Sequence, residues 1–237
     1  MRLHILVDAN VLAAHYSKKT TSSTALSNNA NKLLAGRALH IEPSFLVPNF
    51  CIAEVFAVFE KYRWGASWNP QVKKSNALTP SEFVAARAAF HSDIHNASAI
   101  MQYDLNRYHI LCADLIAPVN AAYQIHRNRK NKASAHNSKR VRVASTFDLL
   151  FVSMGIWLQK HYGADSFLMV SGDTRIQQIV MRARAAGLSK NIKAHLTATA
   201  SQVGIKYGPE IYPKVLNLAQ ASKRELEFQF PGWSPAW

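Results

Sequence analysis

Four carboxylates carry the chemistry that this sequence offers. Asp8 closes the apolar run Leu3 to Val7, Glu54 lies within Phe50 to Arg63, Asp148 follows Ser145 and Thr146, and Asp173 follows Phe167-Leu168-Met169-Val170 through Ser171-Gly172. The chain holds only 14 Asp and Glu against 28 Lys and Arg, so each acid in apolar surroundings needs a reason. Glu54 has Phe50, Cys51, Ala57 and Val58 one helical turn away and no cation on that face. An ionised carboxylate on a buried stripe costs several kcal/mol unless a charge or metal offsets it; the competing reading is a helix-edge Glu whose carboxylate reaches water, or a core Glu paired with a remote Arg. Glu60, with Arg63 three residues on, reads instead as a solvated surface acid. Asp8, Asp148 and Asp173 are each also explained as helix caps or first-turn acids that favour the helix dipole. Taken jointly, two strand ends, one helix face and one helix start could bring all four to the carboxyl edge of one sheet, where open α/β folds bind ligands. Carboxylates gathered there cannot all ionise without a cation among them. An all-oxygen set suits Mg²⁺ or Mn²⁺ rather than Zn²⁺, since the 10 His and 2 Cys show no zinc-ligand spacing.

The elements that must position these acids follow from the apolar periodicity. Leu3 to Val7, Phe45 to Val47, Tyr108 to Cys112 and Phe167 to Val170 read as strands. Asn10 to Tyr16, Ala30 to His40, Pro48-Asn49 through Arg63, Thr79 to Arg107, Pro118 to Arg127, Thr146 to His161 and Thr174 to Ala186 read as helices, the last ended by Gly187. Lys18 to Asn31, rich in Ser, Thr and Asn, reads as a loop, and Trp64 to Leu78 as a linker. Strands alternating with helices indicate an α/β fold with a mainly parallel central sheet flanked by helices.

Composition narrows the partners. A formal charge of +14 on 237 residues favours a polyanion, nucleic acid first. The 16 residues Arg127 to Arg142 contain Arg127, Arg129, Lys130, Lys132, Lys139, Arg140 and Arg142, with no acid between Asp114 and Asp148. This segment, read as a basic loop over 128–143, is expected to track a phosphate backbone by counterion release; a solvated loop is the competing reading. The uncharged apolar stretch Leu149 to Leu158 is far short of the roughly 18 residues a membrane span needs. An acid at position 8 interrupts any signal-peptide core, so a cytoplasmic location without membrane contact is expected. Cys51 and Cys112 sit in apolar runs and read as reduced, buried thiols.

Ile5-Leu6-Val7-Asp8-Ala9-Asn10, Pro48-Asn49-Phe50-Cys51-Ile52-Ala53-Glu54, Thr146-Phe147-Asp148 and Val170-Ser171-Gly172-Asp173-Thr174 together resemble the PIN-domain nucleases, which include VapC-type toxin ribonucleases. Order and chemical type of all four acids match. The resemblance covers about residues 1–16, 41–62 and 108–187. It implies a three-layer PIN-like domain over 1–187, enlarged by a helical insert at 64–107, with 188–237 as a C-terminal extension packed on the same domain. It also implies a Mg²⁺- or Mn²⁺-dependent endoribonuclease in which Asp8, Glu54, Asp148 and Asp173 are catalytic and metal-binding. Asn10, Ser171 and Thr174 are then expected to support those acids or touch phosphate, although as turn and cap residues they are equally well structural. RNA is the expected partner; a toxin role would add an antitoxin protein, and a homo-oligomer stays open. Two rival readings are a PIN-like module that binds RNA without cutting it, and an aspartyl-nucleophile phosphotransferase. The latter expects an acid two residues after the first, where this chain has Asn10.

Overall fold

Apolar runs without charge become strands here because a parallel sheet covered on both faces admits side chains to neither solvent face. Leu3–Val7, Pro43–Pro48 and Phe167–Ser171 bury Ile5, Leu6, Val7, Phe45, Leu46, Val47, Leu168, Met169 and Val170 almost completely. The computed structural model describes residues 3–18, 24–35, 43–67, 77–96, 100–133, 144–185 and 188–230. In chain order these form β1 (Leu3–Val7), α1 (Ala9–Ser17), α2 (Thr24–Ala35), β2 (Pro43–Pro48), α3 (Asn49–Trp64), α4 (Pro80–His95), β3 (Met101–Tyr103), α5 (Arg107–Cys112), α6 (Ala117–Ala133) and α7 (Thr146–Tyr162). There follow β4 (Phe167–Ser171), α8 (Thr174–Arg184), α9 (Lys190–Gln202), β5 (Val215–Asn217) and α10 (Lys223–Gln229). The fold is α/β, with a five-stranded sheet in the order β3-β2-β1-β4-β5, parallel throughout.

The chain forms two compact units. The first comprises Met1–Asp104, Ser166–Thr174 and Val215–Trp237; the second comprises Leu105–Asp165 and Arg175–Lys214. The whole sheet belongs to the first. There α1 packs against α2, α3 and α4, and Phe90 of α4 meets Tyr16, Phe56 and Phe59 at ring-centroid distances of 5.0, 5.2 and 5.9 Å. The second unit buries Leu115, Ile116, Val152, Ile156, Leu196 and Tyr212, whose hydroxyl donates to the Leu115 carbonyl at 2.9 Å.

Several expectations are corrected. Residues 24–31, expected in a loop, lie in α2, because Leu26, Ala30, Leu33 and Leu34 recur at helical spacing and are buried; 19–23 and 36–42 lie outside the described residues. The helix from Thr79 stops at His95, and the third strand is Met101–Tyr103, paired with β2, rather than Tyr108–Cys112. That latter stretch is helical because Asn106 caps it, its Oδ1 accepting the Tyr108 and His109 N–H groups. The segment 64–107, expected as a helical insert, thus contributes a strand to the central sheet. So does the expected C-terminal extension, through β5. The expected basic loop begins as helix: Arg129, Lys130 and Lys132 lie on α6 together with Arg127, whereas Lys139, Arg140 and Arg142 fall outside the described residues, as does Gly187. No described helix is long and apolar enough to cross a membrane.

Candidate active site

The chain runs from β1 outward through β2 to β3, then returns on the other side of β1 through β4 to β5. The order therefore reverses between β1 and β4, and the crevice outside the carboxyl ends of those two strands is where such sheets bind ligands. Register brings particular residues to that edge. Val7 pairs with Val170, and Ser171 with Asn217; the Asp8 N–H donates to the Val170 carbonyl at 3.0 Å, extending the ladder by one step. Asp8 and Ser171 therefore leave neighbouring strands at the switch point, with Asn217 beside them on β5.

Asp8 occupies the cap position of α1, yet only its backbone does the capping: the carbonyl accepts from Val11 and Leu12, and no side-chain cap bond forms. Asp8 is only 7% exposed, and its carboxylate turns across the sheet instead. Its Oδ2 accepts from Asn10 Nδ2 at 2.5 Å and from the fully buried Ser171 hydroxyl at 2.6 Å. Asn10 Oδ1 accepts the Gly172 N–H at 2.7 Å, which fixes the orientation of its amide, and Ser171 Oγ accepts the Asp173 N–H at 2.9 Å. Gly172 is required by close approach: a Cβ there would lie 2.6 Å from a Leu26 methyl and 3.0 Å from Asn10 Oδ1. Asp8, Asn10, Ser171 and the Asp173 backbone are thus one hydrogen-bonded group. Thr174, next along, accepts from Asn217 and Gln220.

The other two acids are placed differently. Asp148 belongs to the second unit and caps α7: its carboxylate accepts the Ser145 N–H at 2.7 Å while Ser145 Oγ accepts the Asp148 N–H at 3.1 Å. Arg175 lies 3.9 Å from the same carboxylate. Glu54 is exposed rather than buried, so the desolvation argument for it fails. Helix α3 is apolar on most of its circumference, and the fold buries the face of Cys51, Val55, Phe59 and Tyr62, leaving Glu54 outside it. Its helix nonetheless starts at Asn49, directly from the carboxyl end of β2, and carries Glu54 in its second turn.

Among the described residues no three His, Cys, Asp or Glu side chains gather into a group able to hold a metal ion. The group on Asp8 is nonetheless chemically suited to a hard cation, being an oxygen donor oriented by neutral hydrogen-bond donors. Comparison with protein-family models, curated proteins and solved structures finds no match.

Spacing alone missed three participants at this edge. Asn217 and Gln220 lie in a stretch whose Gly, Pro and β-branched residues show no period, and Asn29, which donates to the Leu218 and Ala221 carbonyls, lies in the misread α2. The signal available was a polar residue ending a short apolar run, Val215-Leu216-Asn217, as Asp8 ends its own.

Proposed function

We propose that this chain is a divalent-metal-dependent endoribonuclease of PIN-like, three-layer architecture, with its site at the carboxyl edge of β1 and β4. One observation carries the reading: Asp8 forgoes side-chain capping and is buried at the topological switch point, oriented by Asn10 and Ser171. Stability alone gives no reason to bury a carboxylate there when the same residue could cap α1 in contact with water.

Asp8 and Asp173 are the residues that would hold Mg²⁺ or Mn²⁺, and Glu54 on α3 would complete the set or orient the attacking water. Such an ion, when bound, supplies a coordinated water of lowered pKa and a clamp on the phosphate. Asn10 and Ser171 keep the Asp8 carboxylate in one orientation, and the Asp173 N–H bond to Ser171 ties the turn carrying the second acid to the first. Asp148 enters the reading through the sequence pattern, and in the fold it serves α7. Arg127, Arg129, Lys130 and Lys132 on α6, and Lys139, Arg140 and Arg142 beyond it, would contact the RNA backbone. The toxin role and an antitoxin partner rest on the resemblance alone.

The test is Mn²⁺-dependent cleavage of an end-labelled single-stranded RNA by the purified chain. Asp8→Asn and Asp173→Asn should each lower the rate at least about 100-fold, the scale of removing one oriented electrostatic group from a catalytic centre, while leaving the circular dichroism spectrum unchanged. RNA binding without cleavage by the wild-type protein would establish the rival, non-cleaving reading.

A further inference from the structure

Thr174 follows Asp173 directly, and its hydroxyl oxygen is approached by two amide nitrogens, Asn217 Nδ2 and Gln220 Nε2, each at 3.2 Å. The orientation of Asn217 is decided by its own carbonyl: Oδ1 accepts the Ala219 N–H at 3.0 Å, so the NH₂ end must face Thr174. A hydroxyl has two acceptor lone pairs and one proton. With both lone pairs engaged by N–H donors, the one remaining capability of Thr174 is to donate. Ser171, two residues earlier, provides the contrast: it donates to Asp8 and accepts from Asp173, so its hydroxyl is used up within the protein. Thr174 is half-buried beside that group.

A donor held in this way suits a ligand atom that can only accept, and a non-bridging phosphate oxygen is such an atom. We propose that the Thr174 hydroxyl donates to a phosphate oxygen of RNA bound at the sheet edge, and that Asn217, assisted by Gln220, is the positioning residue that makes Thr174 an obligate donor. The inference rests on the ribonuclease reading and deepens it. It also gives β5, at the far end of the chain, a part in substrate binding.

The test is fluorescence anisotropy of a labelled single-stranded RNA in EDTA, so that no cleavage occurs. Thr174→Val, which keeps shape and loses the hydroxyl, should weaken binding on the order of tenfold, the scale of one hydrogen bond to a charged group. Thr174→Ser, which keeps the hydroxyl, should restore affinity to within about threefold of wild type. Asn217→Asp replaces a donor by an acceptor, so the Thr174 proton turns to residue 217 and is lost to the RNA. That change should therefore cost clearly less in the Thr174→Val background than in the wild type, as two residues sharing one hydrogen bond require, while the urea midpoint of each variant stays at that of the wild type, which a merely structural role would not allow. Wild-type binding that is unaffected by Thr174→Val, or losses that simply multiply, would overturn this inference and leave the ribonuclease reading standing. A wild-type chain that neither binds nor cuts RNA would overturn both.

Discussion

Mild acid should weaken the second unit through His109. This ring is fully buried, and its Nδ1 accepts the Asn106 N–H at 2.9 Å, completing the cap of α5. An accepting Nδ1 requires the neutral imidazole. Burial, and secondarily the proximity of His161, push its pKa down from 6.5 to about 4. The unfolded chain therefore takes up this proton near pH 6.5, and the folded chain only near pH 4. Between those values the unfolded state binds more protons, so the contribution is fully present above pH 6.5 and is lost as pH falls. At about 1.4 kcal/mol per pH unit, the loss reaches about 3 kcal/mol by pH 4. Urea unfolding followed by circular dichroism at pH 7, 6, 5 and 4 measures it, with His109→Gln as the reference. Gln at this position can still receive the cap N–H but does not titrate. Other acids and histidines titrate in both proteins and cancel in the difference. The stability gap between the two should shift by about 3 kcal/mol in favour of the variant across this window. Parallel decline of the two proteins would refute the reasoning, because it would mean that His109 is protonated as readily in the fold as out of it.

Gly172→Ala places a methyl group 2.6 and 2.8 Å from the Leu26 methyls and should destabilise by about 1–3 kcal/mol in urea. Leu26→Ala in the same chain should recover part of that loss, and a Gly172→Ala protein as stable as wild type would contradict the close approach. Burial raises the Cys112 thiol to about 12, and Cys51 is 1% exposed. A thiol reagent at pH 8 should accordingly find both unreactive in the native protein and both reactive in urea. Ser145→Ala removes the α7 cap and should cost about 1 kcal/mol, read from the same urea curves.

Elements with a dense, one-sided signal were legible. The apolar runs at Leu3, Phe45 and Phe167 became the three central strands, and the Thr79-Pro80-Ser81-Glu82 motif became a capping box, with Glu82 Oε2 accepting the Thr79 N–H at 2.7 Å. The edge strands were not legible. Met101–Tyr103 and Val215–Asn217 are three residues each, too short for a period, and are strands only because β2 and β4 offer them unpaired backbone. The loop expected over Lys18 to Asn31 shows composition losing to burial: Asn28 faces outward, Ser27 is buried with its hydroxyl donating to the Ala14 carbonyl, and α2 closes over Leu26 and Leu33.

The amino-acid order by itself determined which residues could act: an excess of positive charge, and acids set at the ends of apolar runs, follow from composition and local spacing. Which acid does what was a tertiary matter. Asp8 and Asp148 look alike locally, each beside a helix start, and both could cap. Asp148 caps because Ser145 stands three residues before it. Asp8 does not, because the parallel register of β1 and β4 brings the hydroxyl of Ser171, 163 positions away, within 2.6 Å of its carboxylate. Glu54 was decided in the same way: α3 is apolar nearly all round, and only packing against its neighbours selects the face that leaves water. Side-chain partners supplied by distant strands are invisible to spacing, because spacing records only neighbours within a turn or two of the chain.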